Sequence, residues 1–334
     1  MVKLGSLFSG IGLLDLGLEN VGFETVFQVE WNKHATALLE TRWPTIPHYA
    51  DITQVDWSTV PSVDALAGGF PCQPFSSAGL RKGASDERWM WPEYLRAICG
   101  LRPRMVIVEN VAALLGSPEW GTILGDLAEA GYDAKWRVLR ASDVGAPHRR
   151  ERIFLVAYVD RERRQRWDEK TGNLDGHMGT CAYAERTRLQ RQSESSVERP
   201  SKPAEVDWEA IAHSGSTGSW GEKYQRGQPG GSYWGSYEPA VRRWERVTRP
   251  VPNPTDERGR LSVGFVEWMM GAPADWIGYR PCGNHQNRPK PGCPTCRMER
   301  QGTSRTQALK GLGNGVVAQV AEEIGRWALN GRLD

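Results

Sequence analysis

The stretch GGFPCQPFSSAG, residues 68–79, sets the thiol of Cys72 between two prolines and ahead of a serine pair. A structural cysteine is usually found in an apolar run. This one follows the strand-like DALAGGF on backbone that fits neither helix nor sheet, a position suited to catalysis or metal binding. Three other segments carry reactive side chains. IVENVAALL closes an apolar strand with Glu109 and Asn110, a carboxylate at the carboxyl edge where sites of α/β proteins form. GAPHRRERIFLVA spaces Arg150 and Arg152 two apart, so both are expected on one face of an incoming strand. LKGLGNGVVAQ sets Asn314 in a glycine turn ahead of a helix.

The N-terminal SLFSGIGLLDLGLENVGFETVFQVEWNK reads as strand, glycine turn, helix, strand and acid. Gly10 and Gly12 would let backbone N–H groups at a helix start approach a ligand. Glu30 follows Gly10 at the distance where such sheets set a carboxylate on a ribose diol. A nicotinamide fingerprint wants a third glycine near position 15, which is Asp15, so dinucleotide binding is disfavoured. An adenosine ligand without a pyrophosphate fits, with Trp31 stacking on the adenine and Asp51 accepting from its amino group. The same segment also reads as an ordinary strand–turn–helix.

A second thiol cluster stands near the C-terminus. CGNHQNRPKPGCPTC supplies Cys282, His285, Cys293 and Cys296, two ligand pairs each separated by two residues, the spacing that wraps a tetrahedral zinc. Three thiolates and an imidazole would close the shell, so the expected ion is structural. The alternative is a solvated loop with reduced cysteines.

These residues need a scaffold. The 334 residues suffice for one large domain or two, and 39% hydrophobic content suffices for a core. A mean hydropathy of −0.53 argues against a membrane protein. The apolar N-terminus superficially resembles a signal peptide, but Asp15 and its glycines interrupt it, and a cytoplasmic chain is expected. Six cysteines in such a chain point to catalysis or metal rather than disulfides. A net charge of +2 does not by itself announce a nucleic-acid partner. Up to about residue 158, short apolar runs at 4–8, 25–29, 64–69, 105–109, 136–139 and 152–158 alternate with amphipathic stretches such as 32–41 and 120–131. That alternation predicts an α/β fold, a parallel sheet with helices on both faces. From 160 to 258 the periodicity fades into Gly, Ser, Arg, Glu and Trp with nearly cancelling charge. Its five tryptophans favour a small loop-rich domain over a disordered linker. Helical patterning returns in LSVGFVEWMMG and GVVAQVAEEIGRWALNG.

Taken in order, FSGIG, EW, DI, GFPCQPFS, ENV, RRERIF and GLGNGVV resemble the cytosine-5 DNA methyltransferase family over residues 4–158 and 259–329. The resemblance implies a Rossmann-like, S-adenosylmethionine-dependent sheet with a smaller target-recognition domain. The divisions it implies are a catalytic and cofactor-binding part at 1–159, recognition at 160–258, and C-terminal motifs at 259–334 returning to the catalytic part. It implies cofactor contacts at Phe8, Ser9, Gly10, Gly12, Leu13, Glu30, Trp31, Asp51, Ile52, Pro71, Trp91, Asn314 and Val316. Cys72 would then be a nucleophile adding to the 6-carbon of cytosine, with Glu109 on N3 and the exocyclic amine. Arg152 would orient the base through its carbonyl oxygen, with Arg150 supporting it. A base inside a duplex is out of reach, so it would be flipped from double-stranded DNA. Gln73, Ser76, Arg81 and Arg88, in a loop after the nucleophile, are the candidates for DNA contact. Two positions depart from the pattern: His148 stands where many members have glutamine, and Gly315 where serine is usual after Asn314. The chain is expected to be a monomer of a bacterial or phage modification system. The alternatives are a same-fold enzyme acting on transfer RNA and a DNA-binding regulator without catalysis, against which the intact Cys72, Glu109 and Arg152 argue.

Overall fold

The structure is a computed structural model that describes residues 1–71, 89–159, 234–256, 258–278 and 304–330. Cys72, Gln73, Ser76, Arg81 and Arg88 lie outside the described residues, as do Cys282, His285, Cys293, Cys296 and residues 160–233.

Among the described residues the chain builds a seven-stranded sheet. Its strands are β1 (Val2–Leu7), β2 (Phe23–Val29), β3 (His48–Tyr49), β4 (Ala65–Gly68), β5 (Met105–Val111), β6 (Tyr132–Arg140) and β7 (Glu151–Val159). They lie in the order β3-β2-β1-β4-β5-β7-β6. The pairs from β3 through β5 are parallel, whereas β7 runs antiparallel to both β5 and β6. The expected parallel sheet is therefore mixed. Residues 141–150, which join β6 to β7, hold only a short 3₁₀ turn at Ala141–Val144. Too short for the crossover that parallel neighbours need, they force β7 to run back.

Alternate strand residues feed two apolar layers, as a sheet covered on both faces requires. Leu4, Ala65, Ala67, Ile107, Phe154 and Val156 enter one cluster. Leu7, Leu66, Val106, Val108, Leu155 and Ala157 enter the other. The first is covered by α1 (Leu13–Glu19) and by C-terminal helices, and the second by α3 (Trp91–Leu101) and α4 (Pro118–Glu129). Helix α2 (Lys33–Arg42) starts where the Asn32 side chain accepts from the N–H groups of His34 and Ala35. The described end of the segment expected to read DNA is helical, α5 (Glu238–Val247). It buries Val241 and Trp244 in the first cluster, beside Trp268 of α6 (Val263–Met269). Helices α7 (Arg305–Asn314) and α8 (Ala318–Asn330) complete that face. No helix among the described residues is long and apolar enough to cross a membrane.

Candidate active site

Strand register brings the sequence motifs to one edge. Leu7 pairs with Gly68, and Gly68 with Val108. One residue further on, Phe8, Gly69 and Glu109 therefore lie side by side at the carboxyl ends of β1, β4 and β5. Tyr94 spans the loops beyond: its ring packs on Phe8 and on Phe70, each at 6.3 Å between centroids, while its hydroxyl donates to the Ile107 carbonyl at 2.9 Å.

The turn after β1 is held in an unusual conformation, with positive φ at Phe8 (52°), Gly10 (56°) and Gly12 (75°). A chain of polar contacts maintains it. Ser9 N–H donates to Val29 O at 3.1 Å, the Ser6 and Ser9 hydroxyls pair at 2.8 Å, and Gly12 N–H returns to Ser9 O at 2.9 Å. Glu30 accepts from Gly10 N–H and from Asn32 N–H, both at 2.7 Å. These backbone donors, expected to face a ligand, are committed inside the protein. The glycine leaves open space instead: a Cβ on Gly10 would meet nothing nearer than 4.0 Å. Burial raises the Glu30 carboxyl above its ordinary range against the pull of its two N–H donors. Its remaining lone pairs suit a ribose diol. The Trp31 side chain beside it is 66% exposed, an indole face with room for a flat ring. The donor set thus fits an adenosine group. Asp51 caps the short turn Ile52–Gln54 by accepting from the N–H and hydroxyl of Thr53, and Ile52 is buried beneath it.

At the neighbouring strand ends the buried Glu109 pairs with the half-buried Arg152, its Oε1 3.0 Å from Arg152 Nε. Desolvation raises its carboxyl above the usual range, outweighing the attraction of Arg152 and Arg150. A Cβ on Gly69 would fall 2.4 Å from Glu109 Oε2, so glycine here lets the backbone pass the carboxylate without displacing it. Asn110 fixes the same turn, donating through Nδ2 to Phe70 O at 3.1 Å. Beyond Phe70 the backbone reaches the exposed Pro71, the residue before Cys72.

The two arginines part company. Arg150 precedes β7 with φ of 30°, which breaks the strand alternation expected to aim both at one face. Its guanidinium donates to the carbonyls of Gly313 and Gly315, flanking Asn314. Burial lowers its pKa to about 9. Asn314 is exposed at the last position of α7, and Val316 is buried after it. The glycines before Asn314 are helical rather than a turn. His148 sits against Met269 O at 2.9 Å, and burial lowers its pKa to about 4, so the ring is neutral and donates.

Trp91 opens α3 on the far side of Phe70. It is fully buried, packed near Phe70 and Tyr94, with its indole N–H committed to Asp126 Oδ2 at 2.7 Å. Leu13, first residue of α1, is buried as well. Missed from the sequence were Asn110 as a tie to Phe70 and Gly69 as the space for Glu109. The doublet GG before FPC was the available signal for the second.

The chain matches the family model described as C-5 cytosine-specific DNA methylase over residues 2–275. Type II methyltransferase M.BsuFI of Bacillus subtilis is 39% identical over 156 residues, 46% of this chain and 38% of that protein. Type II methyltransferase M.NlaX of Neisseria lactamica is 38% identical over 168 residues, 48% of this chain and 54% of that protein. The chain spans about half the length of the curated relatives it matches. Among solved structures, a mutant of Spodoptera frugiperda DNMT2 superposes with a TM-score of 0.55 at 17% identity, over 98% of this chain and 100% of that one. Entamoeba histolytica methyltransferase EhMeth gives 0.56 at 14% identity, over 99% and 98%. These two similarities are similarities of fold.

Proposed function

Because the chain belongs to the C-5 cytosine-specific DNA methylase family, we propose that it methylates the 5-carbon of cytosine in double-stranded DNA. The observation that carries the reading is the pairing of buried Glu109 with Arg152, beside Gly69 on the segment that leads to Cys72. In this reading Cys72 adds as thiolate to the 6-carbon, forming a C–S bond while the ring electrons move toward N3. Glu109, its carboxyl raised by burial, gives a hydrogen bond or proton to N3. Arg152 holds that carboxyl at one end and presents its remaining N–H groups to the base carbonyl. Arg150 acts from behind by fixing the Gly313–Gly315 backbone. Once the 5-carbon has taken the methyl group, leaving the donor's sulfur as a neutral thioether, a base removes the proton still on that carbon. The C–S bond to Cys72 then breaks to restore the ring double bond and release thiolate, and N3 returns any proton it took to Glu109.

S-adenosylmethionine, when bound, supplies the electrophilic methyl group. Glu30 would hold its ribose, Trp31 its adenine face, and the open side of Gly10 its remainder, with Phe8, Ser9, Gly12, Asp51, Ile52, Pro71, Asn314 and Val316 around them. Gln73, Ser76, Arg81 and Arg88 belong to the DNA contact, and residues 160–258 to target recognition, the helix 238–247 anchoring that segment to the core. We further propose a structural zinc on Cys282, His285, Cys293 and Cys296, and a cytoplasmic monomer of a modification system.

The test is methyl transfer to duplex DNA against transfer RNA, with bisulfite sequencing of DNA from expressing cells. Duplex DNA carrying 5-fluorocytosine should form a stable adduct with Cys72, because fluorine cannot leave as a cation. Turnover by Cys72→Ser, or methylation of transfer RNA alone, would overturn the reading.

A further inference from the structure

The glycine turn is gripped by residues far from it in sequence. Ile11 lies between Gly10 and Gly12 and precedes the first turn of α1, so its buried carbonyl has no helical partner. Its hydrogen bond comes from 265 residues away: Trp276 Nε1 donates to Ile11 O at 2.8 Å.

That indole is fixed on three sides. Arg42, at the end of α2, donates to the carbonyls of Asp275 (2.7 Å) and Trp276 (2.6 Å), and its guanidinium lies 4.6 Å over the Trp276 ring. Trp43 meets the same ring edge-on at 5.9 Å. Trp43 in turn donates to Glu19 Oε1 at 2.8 Å, at the far end of α1. A Cβ on Gly12 would fall 2.6 Å from the Trp43 ring. Trp43 and Trp276 thus bracket a turn in which three of five residues have positive φ; two are glycines, and Phe8 holds that conformation only because its surroundings over-determine it.

We propose that Trp276, locked by Arg42, is a positioning residue that holds the Phe8–Gly12 turn in its binding conformation before ligand arrives. It touches no reacting atom; it acts through the Ile11 carbonyl on the Gly10 N–H and so on Glu30. The proposal rests on S-adenosylmethionine as the ligand of this turn. Pre-organisation predicts an effect on affinity rather than on the chemical step, since a loosened turn must be ordered during binding.

The experiment is hydrogen exchange of the ligand-free Trp276→Phe protein, together with calorimetric titration by S-adenosylmethionine. Phenylalanine keeps an aromatic six-membered ring but removes the N–H together with the five-membered ring, so the comparison of segment 8–12 with the rest of the chain separates the lost hydrogen bond from lost packing. Exchange of the segment 8–12 should accelerate more than the rest of the chain, and binding should weaken about three- to tenfold, the scale of one lost hydrogen bond. KM for the ligand should rise with kcat at saturation unchanged. Arg42→Met, which frees the Trp276 carbonyl, should move all three quantities the same way and serves if the first variant does not fold. Unchanged exchange at 8–12 with unchanged affinity would overturn the proposal. So would exchange that rises uniformly, because the role would then be general packing. If the unsubstituted protein fails to bind S-adenosylmethionine, the functional reading falls, while the exchange measurement still judges the latch.

Discussion

Asp15 is a carboxyl that forms no ion pair among the described residues. It is fully buried in α1, and its Oδ1 accepts from Gln28 Nε2 at 3.0 Å. Its other oxygen, Oδ2, has no partner, and neither has Gln28 Oε1. Two lone-pair acceptors are left over on two side chains that already share one hydrogen bond. A proton on Oδ2 directed at Gln28 Oε1 would satisfy both and close an acid–amide ring. Burial, aided by Glu19, raises the Asp15 pKa from 3.8 to about 6 against the bond from Gln28 and the opposing influence of the nearby Ser6 hydroxyl. The folded state therefore holds this proton more tightly than the unfolded chain. The stability it confers is complete below pH 3.8 and is lost as the pH climbs through about 6. A shift of that size corresponds to about 3 kcal/mol once the pH is well above 6. Asp15→Asn replaces the titrating O–H by a permanent N–H donor of the same shape. We expect the variant to be more stable than the parent by roughly 3 kcal/mol near pH 8 and by under about 1 kcal/mol near pH 4, read from urea unfolding across that range. A stability difference that does not vary with pH, or a variant less stable near pH 8, would refute the reasoning.

Glu109→Gln should lower methyl transfer by about 10²- to 10⁴-fold while S-adenosylmethionine binds as before, measured by single-turnover kinetics and titration; normal turnover would remove Glu109 from the chemistry. Gly69→Ala should displace the Glu109 carboxyl, since its Cβ would fall 2.4 Å from Oε2, and reduce kcat without moving the ligand affinity. Protein purified without chelator should contain about one zinc per chain if the four-ligand site is occupied, and a zinc-free, folded and active sample would exclude it.

Much of the site's location was legible because each piece depends on local pattern. A strand followed by closely spaced glycines and, 20 residues on, an acid marks the turn at Gly10 and Glu30 wherever the strands pair. An apolar run ending in Glu109 marks a strand end. What stayed hidden is what depends on distant partners. Arg150 and Arg152 look equivalent in RRERIF, yet Arg150 reaches Gly313, 163 residues later, and its positive φ exists to make that reach. The glycines of GLGNG read as a turn by propensity, but α7 runs through them, and the bare face at Gly311 lets Ile11 approach so closely that a Cβ there would fall 2.8 Å from Ile11 Cγ2. The burial of Trp91 likewise rests on a distant partner, since its N–H finds Asp126 on α4.

The reversed strand bears most directly on function. In a fully parallel sheet the start of β7 would lie at the opposite edge from the end of β5, and Arg152 could not approach Glu109. Antiparallel pairing sets Val111 opposite Arg152 and Glu109 opposite Phe154. Glu109 and Arg152 then stand as diagonal neighbours two positions apart on one face, a separation that a long arginine spans and a shorter cation would not. The 3.0 Å contact follows from that diagonal. A one-residue slip of β7 would turn Arg152 to the other face of the sheet and expel Phe154 and Val156 from the first apolar layer. The apolar residues that hold β7 in register are therefore the ones that hold the arginine on the carboxylate, so the packing of the core and the geometry of the site are set by the same alternation.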